Sequence, residues 1–382
     1  MSETNDAPLH EWLASPMEPA ARLTIDRVRR AADVVHVAVM PDAHLAKDVC
    51  VGTVMATRRL VYPSAVGGDI GCGMQAMAFD GASDLLRDPG HAGLLLRSLG
   101  ENIPVHRRHR SRTVQLPENL RASELSHGSL RSAMNDVGVL QLGTLGGGNH
   151  FVEFQCDVDN RLWLMIHSGS RAMGQAVKAH HLARATIRSA SMMALDVDSA
   201  EGQSYLQDQN WARQYAAANR HAMANAVEEI LTDLFKIPVV KSMTISCDHN
   251  HVQRENHFGQ SVLVHRKGAT PAGSGVAGVI PGSMGTLSYH VSGRGNPLSL
   301  SSSAHGAGRQ LSRHAARERF ARADLRRQMT GIWFDPRLVD SLREESPKSY
   351  KDIRSVMQAQ KDLVQIDRTL RPLLVFKGGT HR

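Results

Sequence analysis

VHVAVMPDAHLAKDVCVGTVMATRRLVYPSAVGGDIGCGMQAMA (35–78) contains three short apolar runs cut apart by proline and glycine. The runs are residues 35–39, 51–56 and 75–78. β-Branched side chains in short runs, punctuated by turn residues, predict strands. Working outward, Trp163-Leu164-Met165-Ile166 reads as a buried strand running into His167, and Leu373-Leu374-Val375-Phe376 as a final one. Residues 84–136 read as mostly helical and loop-rich. Residues 172–235 read as helical, with Trp211, Tyr215, Val227, Ile230, Leu231 and Leu234 at roughly helical spacing. Strand and turn return over 243–303, and helix over 305–325 and 349–370. The blocks alternate irregularly, no Pro- or Ser-rich linker divides them, and no repeat is seen. The expectation is an α+β fold, a mixed β-sheet core surrounded by helices, in one domain over residues 1–382 with 1–35 its least patterned part.

A chain of 382 residues can bury a sizeable core, and 42% hydrophobic with 21% charged residues is close to a globular average. No apolar run reaches the ~18 residues that span a bilayer. The first residues, Met-Ser-Glu-Thr-Asn-Asp, are polar rather than signal-like. The expected location is the cytoplasm, with no membrane association. Four cysteines (Cys50, Cys72, Cys156, Cys247) lie far apart without a C-x-x-C pair, which argues against a disulfide framework and leaves any of them open as a thiolate ligand. The net charge of +8 favours a polyanionic partner. Histidines, 20 of them, outnumber all Phe, Tyr and Trp together. Histidine is the commonest metal ligand and a competent nucleophile, so placement decides which ones matter.

Five glycine-flanked clusters carry the chemistry. In GGDIGCGM (67–74), Asp69 and Cys72 stand three apart on a permissive backbone and can face one metal. The plain alternative is a tight turn with a buried cysteine. In GGGNHFVE (146–153), three glycines allow close backbone approach to a ligand. Asn149, His150 and Glu153 then supply an amide, an imidazole and a carboxylate able to accept from a purine. HSGSR (167–171) follows a buried strand, and Arg171 can fork a phosphate, although a capped helix start explains the serines equally well. In CDHNH (247–251), His249 and His251 would share a strand face. The stretch from Pro281 to Arg309 is rich in small residues that expose backbone N–H groups before an expected helix, with His305 at its mouth as a candidate nucleophile toward phosphorus. GSGVAG (273–278) fits G-x-G-x-x-G but precedes Val279-Ile280-Pro281-Gly282, so it is read as a loop. No P-loop and no H-E-x-x-H is present.

With these clusters in hand, the sequence resembles the RtcB RNA ligase family. The matching strings are MPDAHLAKD (40–48), GGDIGCGM (67–74), LGTLGGGNHFVE (142–153), HSGSR (167–171), HNHVQRE (249–255), HRKGAT (265–270), IPGSMGTLSY (280–289), GRGNP (293–297), SAHGAGRQLSR (303–313) and VFKGG (375–379). They run in the family's order from about residue 40 to the C-terminus. The resemblance implies a GTP- and Mn(II)-dependent ligase that joins RNA 3′-phosphate or 2′,3′-cyclic phosphate ends to 5′-hydroxyl ends, in tRNA splicing or RNA repair. It implies two manganese ions: Asp69, Cys72 and His150 around one, Cys72, His167 and His249 around the other. His305 would carry the covalent GMP. The guanylate pocket would comprise Asn149, His150, Phe151, Val152, Glu153, His249, Asn250, Pro281, Gly282, Ser283, Met284, Ser288, His305, Gly306, Ala307, Gly308 and Lys377. Arg171 and Arg309 would meet the RNA terminal phosphate, and an accessory activator is a possible further partner. The chain departs from the family at Ala46, Ala172 and Ala304, and extends past Lys377-Gly378 by Gly379-Thr380-His381-Arg382. Two other readings of the same residues are a metal-dependent phosphodiesterase acting on RNA ends and an RNA-binding protein with a structural metal.

Overall fold

The computed structural model describes residues 6–378. The polar start over residues 1–5 and the tail from Gly379 lie outside that range. Two sheets dominate an α+β architecture with helices packed around them. The first has five strands in the order Leu9–Glu11, Val34–His44, Val51–Thr57, Gln260–Lys267 and Asn250–His257. Leu9–Glu11 joins in parallel and the other pairings are antiparallel, which makes this sheet mixed. The second has seven antiparallel strands, in the order Val239–Asp248, Gly73–Ala82, Arg161–Ser168, Phe151–Cys156, Val364–Phe376, Ser288–Gly293 and Ala277–Ile280. The expected strands at 35–39, 51–56, 75–78, 163–166 and 373–376 all fall inside these elements.

At one of its crossings between the sheets, the chain passes from one to the other through a single residue. Strand Val239–Asp248 belongs to the seven-stranded sheet and Asn250–His257 to the five-stranded one, so His249 is the crossing point. In the seven-stranded sheet Gly73 pairs with both Ser168 and Asp248, and His167 lies between Met74 and Phe151. The loops holding Asp69, Cys72, His150 and His249 therefore leave the same edge of one sheet. A Cβ on Gly73 would stand 2.2 Å from the Cys247 carbonyl oxygen, so only glycine permits that approach.

One long helix, Ala200–Phe235, secures this edge. Ser199 caps its start by accepting from Gly202 N, and Lys236 ends it in the left-handed conformation (φ 58°). Its second half packs Met223, Val227 and Leu231 against the sheet residues Phe79, Phe154 and Ile166. Its middle is polar and buried for a reason. Asn219 donates to the carbonyls of Thr144 and Gly169 and accepts from Thr144 N, while Arg220 donates to the carbonyls of Gly71 and Ser168. Buried loops cannot satisfy their own peptide groups, and these two side chains do it for three loops at once.

Three helical expectations are corrected. Between helices Arg171–Leu182 and Ala200–Phe235, the strands Ile187–Ser189 and Met192–Asp196 form a hairpin that pairs with Leu60–Val61. Over 305–325 helix begins only at Arg313, where Ser312 supplies the cap. Over 349–370 the helix is Ile353–Ala359, and from Val364 the chain is already strand. For 187–196 and from Val364, pairing to a strand distant in sequence overrides local preference, whereas residues 305–309 are irregular and line the cavity. Pro372 is tolerated within strand Val364–Phe376 because the register shifts there.

Candidate functional site

The edge just described closes around a cavity of ≈ 380 Å³, within the usual range for a nucleotide-sized ligand. One end is a cluster of ligand atoms. Cys72 Sγ lies 3.5 Å from His150 Nε2 and 3.2 Å from His167 Nε2; His167 Nε2 is 3.4 Å from His249 Nε2; His150 Nε2 is 2.9 Å from Asp69 Oδ2. Two triads result, Asp69–Cys72–His150 and Cys72–His167–His249, and Cys72 belongs to both. Gly169 makes room, since a Cβ there would sit 2.1 Å from Asp69 Oδ1.

Second partners set the tautomers. His150 Nδ1 donates to the Leu145 carbonyl (3.0 Å) and His167 Nδ1 to the Asn149 carbonyl (3.0 Å). A carbonyl only accepts, so each Nδ1 holds the proton and each Nε2 turns a lone pair inward. Burial pushes the imidazoles of His167 and His249 well down and the Cys72 thiol well up, so protonated cations are disfavoured here. His150 Nε2 faces Asp69 and Cys72, and His167 Nε2 faces Cys72 and His249, so a cation bound among them would take these lone pairs and displace the thiol proton. Mixed carboxylate, imidazole and thiolate donors suit a first-row divalent ion. The residues fit a candidate metal-binding cluster.

At the far side of His249 stands His305, the ring centroids 4.6 Å apart. Asp42, fully buried, takes hydrogen bonds from His305 Nδ1 (2.5 Å) and from its backbone N (3.1 Å). The proton is thereby held on Nδ1, and Nε2 keeps a free lone pair. Lys351 steadies the Asp42 segment by donating to the carbonyls of Pro41 and Ala43.

The other end of the cavity holds Glu153, 2% exposed, with burial pushing its carboxyl up to about 8 despite a hydrogen bond from Gln155 (2.6 Å) and the charge of Lys377. Lys377 is buried over the Phe151 ring, 3.7 Å from Glu345.

Most residues singled out in the sequence meet on this wall: Asp69, Cys72, Asn149, Phe151, Glu153, His167, His249, Asn250, Pro281, Gly282, Ser283, Met284, Ser288, His305, Gly306, Ala307, Gly308, Arg309 and Lys377. Others stand differently. His150 adjoins the cavity through Asp69 and Cys72. Val152 faces the apolar core behind the strand. His251 turns away from His249 to Asp248. Asn250 clamps two loops, donating to the Asp69 carbonyl and accepting from Gly268 N. Arg309 lines the wall, but its guanidinium is held by Glu345 and by the Glu344 and Leu311 carbonyls. Arg171 lies outside the lining, bonded to Thr144 Oγ1 and the Val105 carbonyl, with a left-handed φ of 57° that a non-glycine residue rarely adopts. Asp42, His44, Lys267, Arg313 and Tyr350 were not singled out. The first four lie inside strings quoted above, whereas Tyr350 lies in none and carried no sequence signal.

The profile of the family described as tRNA-splicing ligase RtcB matches residues 25–378. The chain is 35% identical to the RNA-splicing ligase RtcB of Escherichia coli (strain K12), over 98% of either chain. It is equally identical, over the same shares, to the RNA-splicing ligase RtcB1 of another Escherichia coli strain (ATCC 25922). It is 29% identical to the tRNA-splicing ligase RtcB of Nanoarchaeum equitans, over 90% of this chain and 88% of that one. Among the described residues no helix is long and apolar enough to cross a membrane.

Proposed function

This chain belongs to the tRNA-splicing ligase RtcB family, and from that premise we propose that it acts as one GTP-dependent, Mn(II)-dependent catalytic unit joining RNA 3′-phosphate or 2′,3′-cyclic phosphate ends to 5′-hydroxyl ends. The observation that carries the reading is the shared cavity: an imidazole whose Nδ1 proton is held by a hydrogen bond to Asp42 stands beside a ligand cluster centred on Cys72.

His305 Nε2 attacks the α-phosphorus of GTP; the new P–N bond replaces the bond to pyrophosphate, which leaves. An oxygen of the RNA 3′-phosphate then takes the GMP, breaking P–N and freeing His305. The 5′-hydroxyl of the second RNA attacks the activated 3′-phosphorus, losing its proton, and GMP departs as the phosphodiester forms. A cyclic phosphate is first opened by water. Asp69, Cys72, His150, His167 and His249 would hold two manganese ions, which supply Lewis-acid polarisation of phosphoryl oxygens when bound. Asp42 holds the nucleophile in its reactive tautomer. Asn149, Phe151, Glu153, Pro281–Met284, Ser288, Gly306–Gly308 and Lys377 would enclose the guanylate, with Val152 supporting that strand from behind, while Arg171 and Arg309 would serve the RNA terminal phosphate. The cytoplasm is the proposed location.

The test is to incubate the protein with Mn(II) and α-labelled GTP, then add RNA bearing a 3′-phosphate and a 5′-hydroxyl. The label should enter the protein, leave as GMP and be replaced by sealed RNA. Processing of RNA ends with no protein-bound label would instead favour a phosphodiesterase.

Asp42→Asn should slow GMP attachment by about 10²–10⁴-fold with the fold intact, because an amide can donate to Nδ1 and move the proton to Nε2. The pH profile should change with the rate. A normal rate would show that Asp42 does not select the tautomer.

Glu153 gives a pH prediction. A carboxylate can accept from both guanine N–H donors, and a protonated carboxyl cannot. Its folded-state value of about 8 exceeds the ordinary 4.5, so the ionised, binding form grows as pH rises toward 8. GTP affinity of a His305→Ala variant should therefore rise between about pH 6.5 and 8, by up to ~10-fold per pH unit, then level off. Glu153→Gln should flatten the profile and weaken the preference for guanine over adenine. An unchanged profile in Glu153→Gln would remove Glu153 from base recognition.

A further inference from the structure

Residues 104–113, Pro-Val-His-Arg-Arg-His-Arg-Ser-Arg-Thr, place four arginines within six positions. Arg107, Arg110 and Arg112 are exposed, while Arg108 is half-buried and spends its guanidinium on the carbonyls of Asn102, Leu142 and Gly143. Among the described residues none of the four is ion-paired with a carboxylate. By contrast, Arg309, Arg313 and Arg317 near the cavity are tied to Glu344 or Glu345.

The loop is fixed to the site rather than trailing from it. Leu145 N donates to the Pro104 carbonyl (2.9 Å), Gly146 N to the Val105 carbonyl (2.8 Å) and Arg108 N to the Leu140 carbonyl (2.7 Å). Residues 145 and 146 belong to the glycine-rich segment that delivers His150, and Leu145 is the residue whose carbonyl orients His150. Arg171 donates to Val105 O (3.3 Å). Val105 also packs against Gly378, where a Cβ would come within 2.3 Å of its Cγ1, next to Lys377 of the cavity wall. His109 accepts from Ser111 N and so holds Arg110–Arg112 in a fixed turn.

We propose that the loop carrying Arg107, Arg110 and Arg112 is a phosphate-backbone arm, gripping the single-stranded RNA that flanks the reacting end through its phosphates rather than its bases. The inference rests on the reading of the cavity as an RNA-sealing site. Unpaired, exposed guanidiniums on a rigid support release counterions from a polyanion and carry no sequence preference. Arg171 ties the loop to the site segment, its guanidinium donating to the Val105 carbonyl and to Thr144 Oγ1.

The test compares wild type with the triple variant Arg107→Gln/Arg110→Gln/Arg112→Gln, and with a charge-matched control, Arg188→Gln/Arg254→Gln/Arg326→Gln, at other exposed arginines. The probe is single-stranded RNA ending in a 3′-phosphate, titrated over a range of salt concentrations on the metal-loaded protein. The triple variant should lose at least about tenfold in affinity near 0.1 M salt, and its log–log salt slope should shrink by about 2, since each single-strand phosphate contact contributes ~0.7. Attachment of GMP, which needs no RNA, should be unchanged. Equal affinity and slope in wild type and triple variant, or an equal fall in the control, would overturn the proposal and leave an acidic protein surface as the loop's partner. If wild type itself neither takes up GMP nor seals RNA, the functional reading fails, and the salt slopes still report on the loop independently.

Discussion

His305→Ala is expected to take up no labelled GMP and to seal no RNA, a loss of at least ~10⁴-fold, while still folding and still binding metal. The size of the effect follows from the chemistry. Alanine removes the only atom offered to phosphorus in the first step, and a ligase without its covalent intermediate has no activated 3′-end to seal. The side chain is a minor part of the packing, being partly exposed on the cavity wall and held mainly by Asp42, so stability should change little. Asp42 is left with a buried carboxylate, and the cost of that is expected to appear as a modest fall in melting temperature. The measurement is acid-labile label on the protein, alongside metal content and sealed product. Retention of label by His305→Ala would assign the nucleophile to another residue.

Cys72→Ala should be the second most damaging change, and for a different reason. Cys72 Sγ is shared by both triads, so its removal takes a donor from each: one would keep Asp69 and His150, the other His167 and His249. Metal affinity should fall by more than the ~100-fold typical of losing an outer-sphere partner, and GMP attachment should fall with it. Excess Mn(II) should restore little, because two imidazoles alone make a poor site for a hard ion. The fold should persist, since the Cys72 backbone stays anchored by its hydrogen bonds to Asp69 and His249. Elemental analysis after gel filtration reads the metal directly. A Cys72→Ala protein that holds its full metal complement and ligates normally would separate the metal centre from this cysteine.

The Cys72 and His305 outcomes together separate the two halves of the cavity. His305→Ala should be metal-loaded and inert; Cys72→Ala should be metal-poor and inert. A phosphodiesterase would behave otherwise, tolerating loss of His305 while depending on Cys72.

Legibility in the sequence followed the range of the forces involved. The strands at 35–39, 51–56 and 163–166 could be read because their side chains are apolar in a run and turn residues bound them. The strand from Val364 could not be read, since Gln365, Asp367 and Arg368 interrupt its apolar residues and its two neighbours, Ser288–Gly293 and Phe151–Cys156, are far away in the chain. The hairpin at 187–196 was hidden for the same reason. Of the site, Asp69, Cys72, His150, His167 and His305 were legible because glycines lie close to reactive side chains there, and His249 because it stands in a His-Asn-His string. Asp42 lay in plain view within MPDAH, yet only the fold gives it a partner, 263 positions away.

The residue types and their settings, written in the chain, determined that candidate metal ligands and a candidate nucleophile were present, and which family the chain belongs to. Tertiary structure alone decided that Cys72 is common to two triads, that Asp42 holds the His305 proton, that Arg171 turns from the cavity toward a basic loop, and that Glu153 titrates high. Those properties depend on distances of a few ångströms and on exclusion of water, and both arise only when segments far apart in sequence pack together.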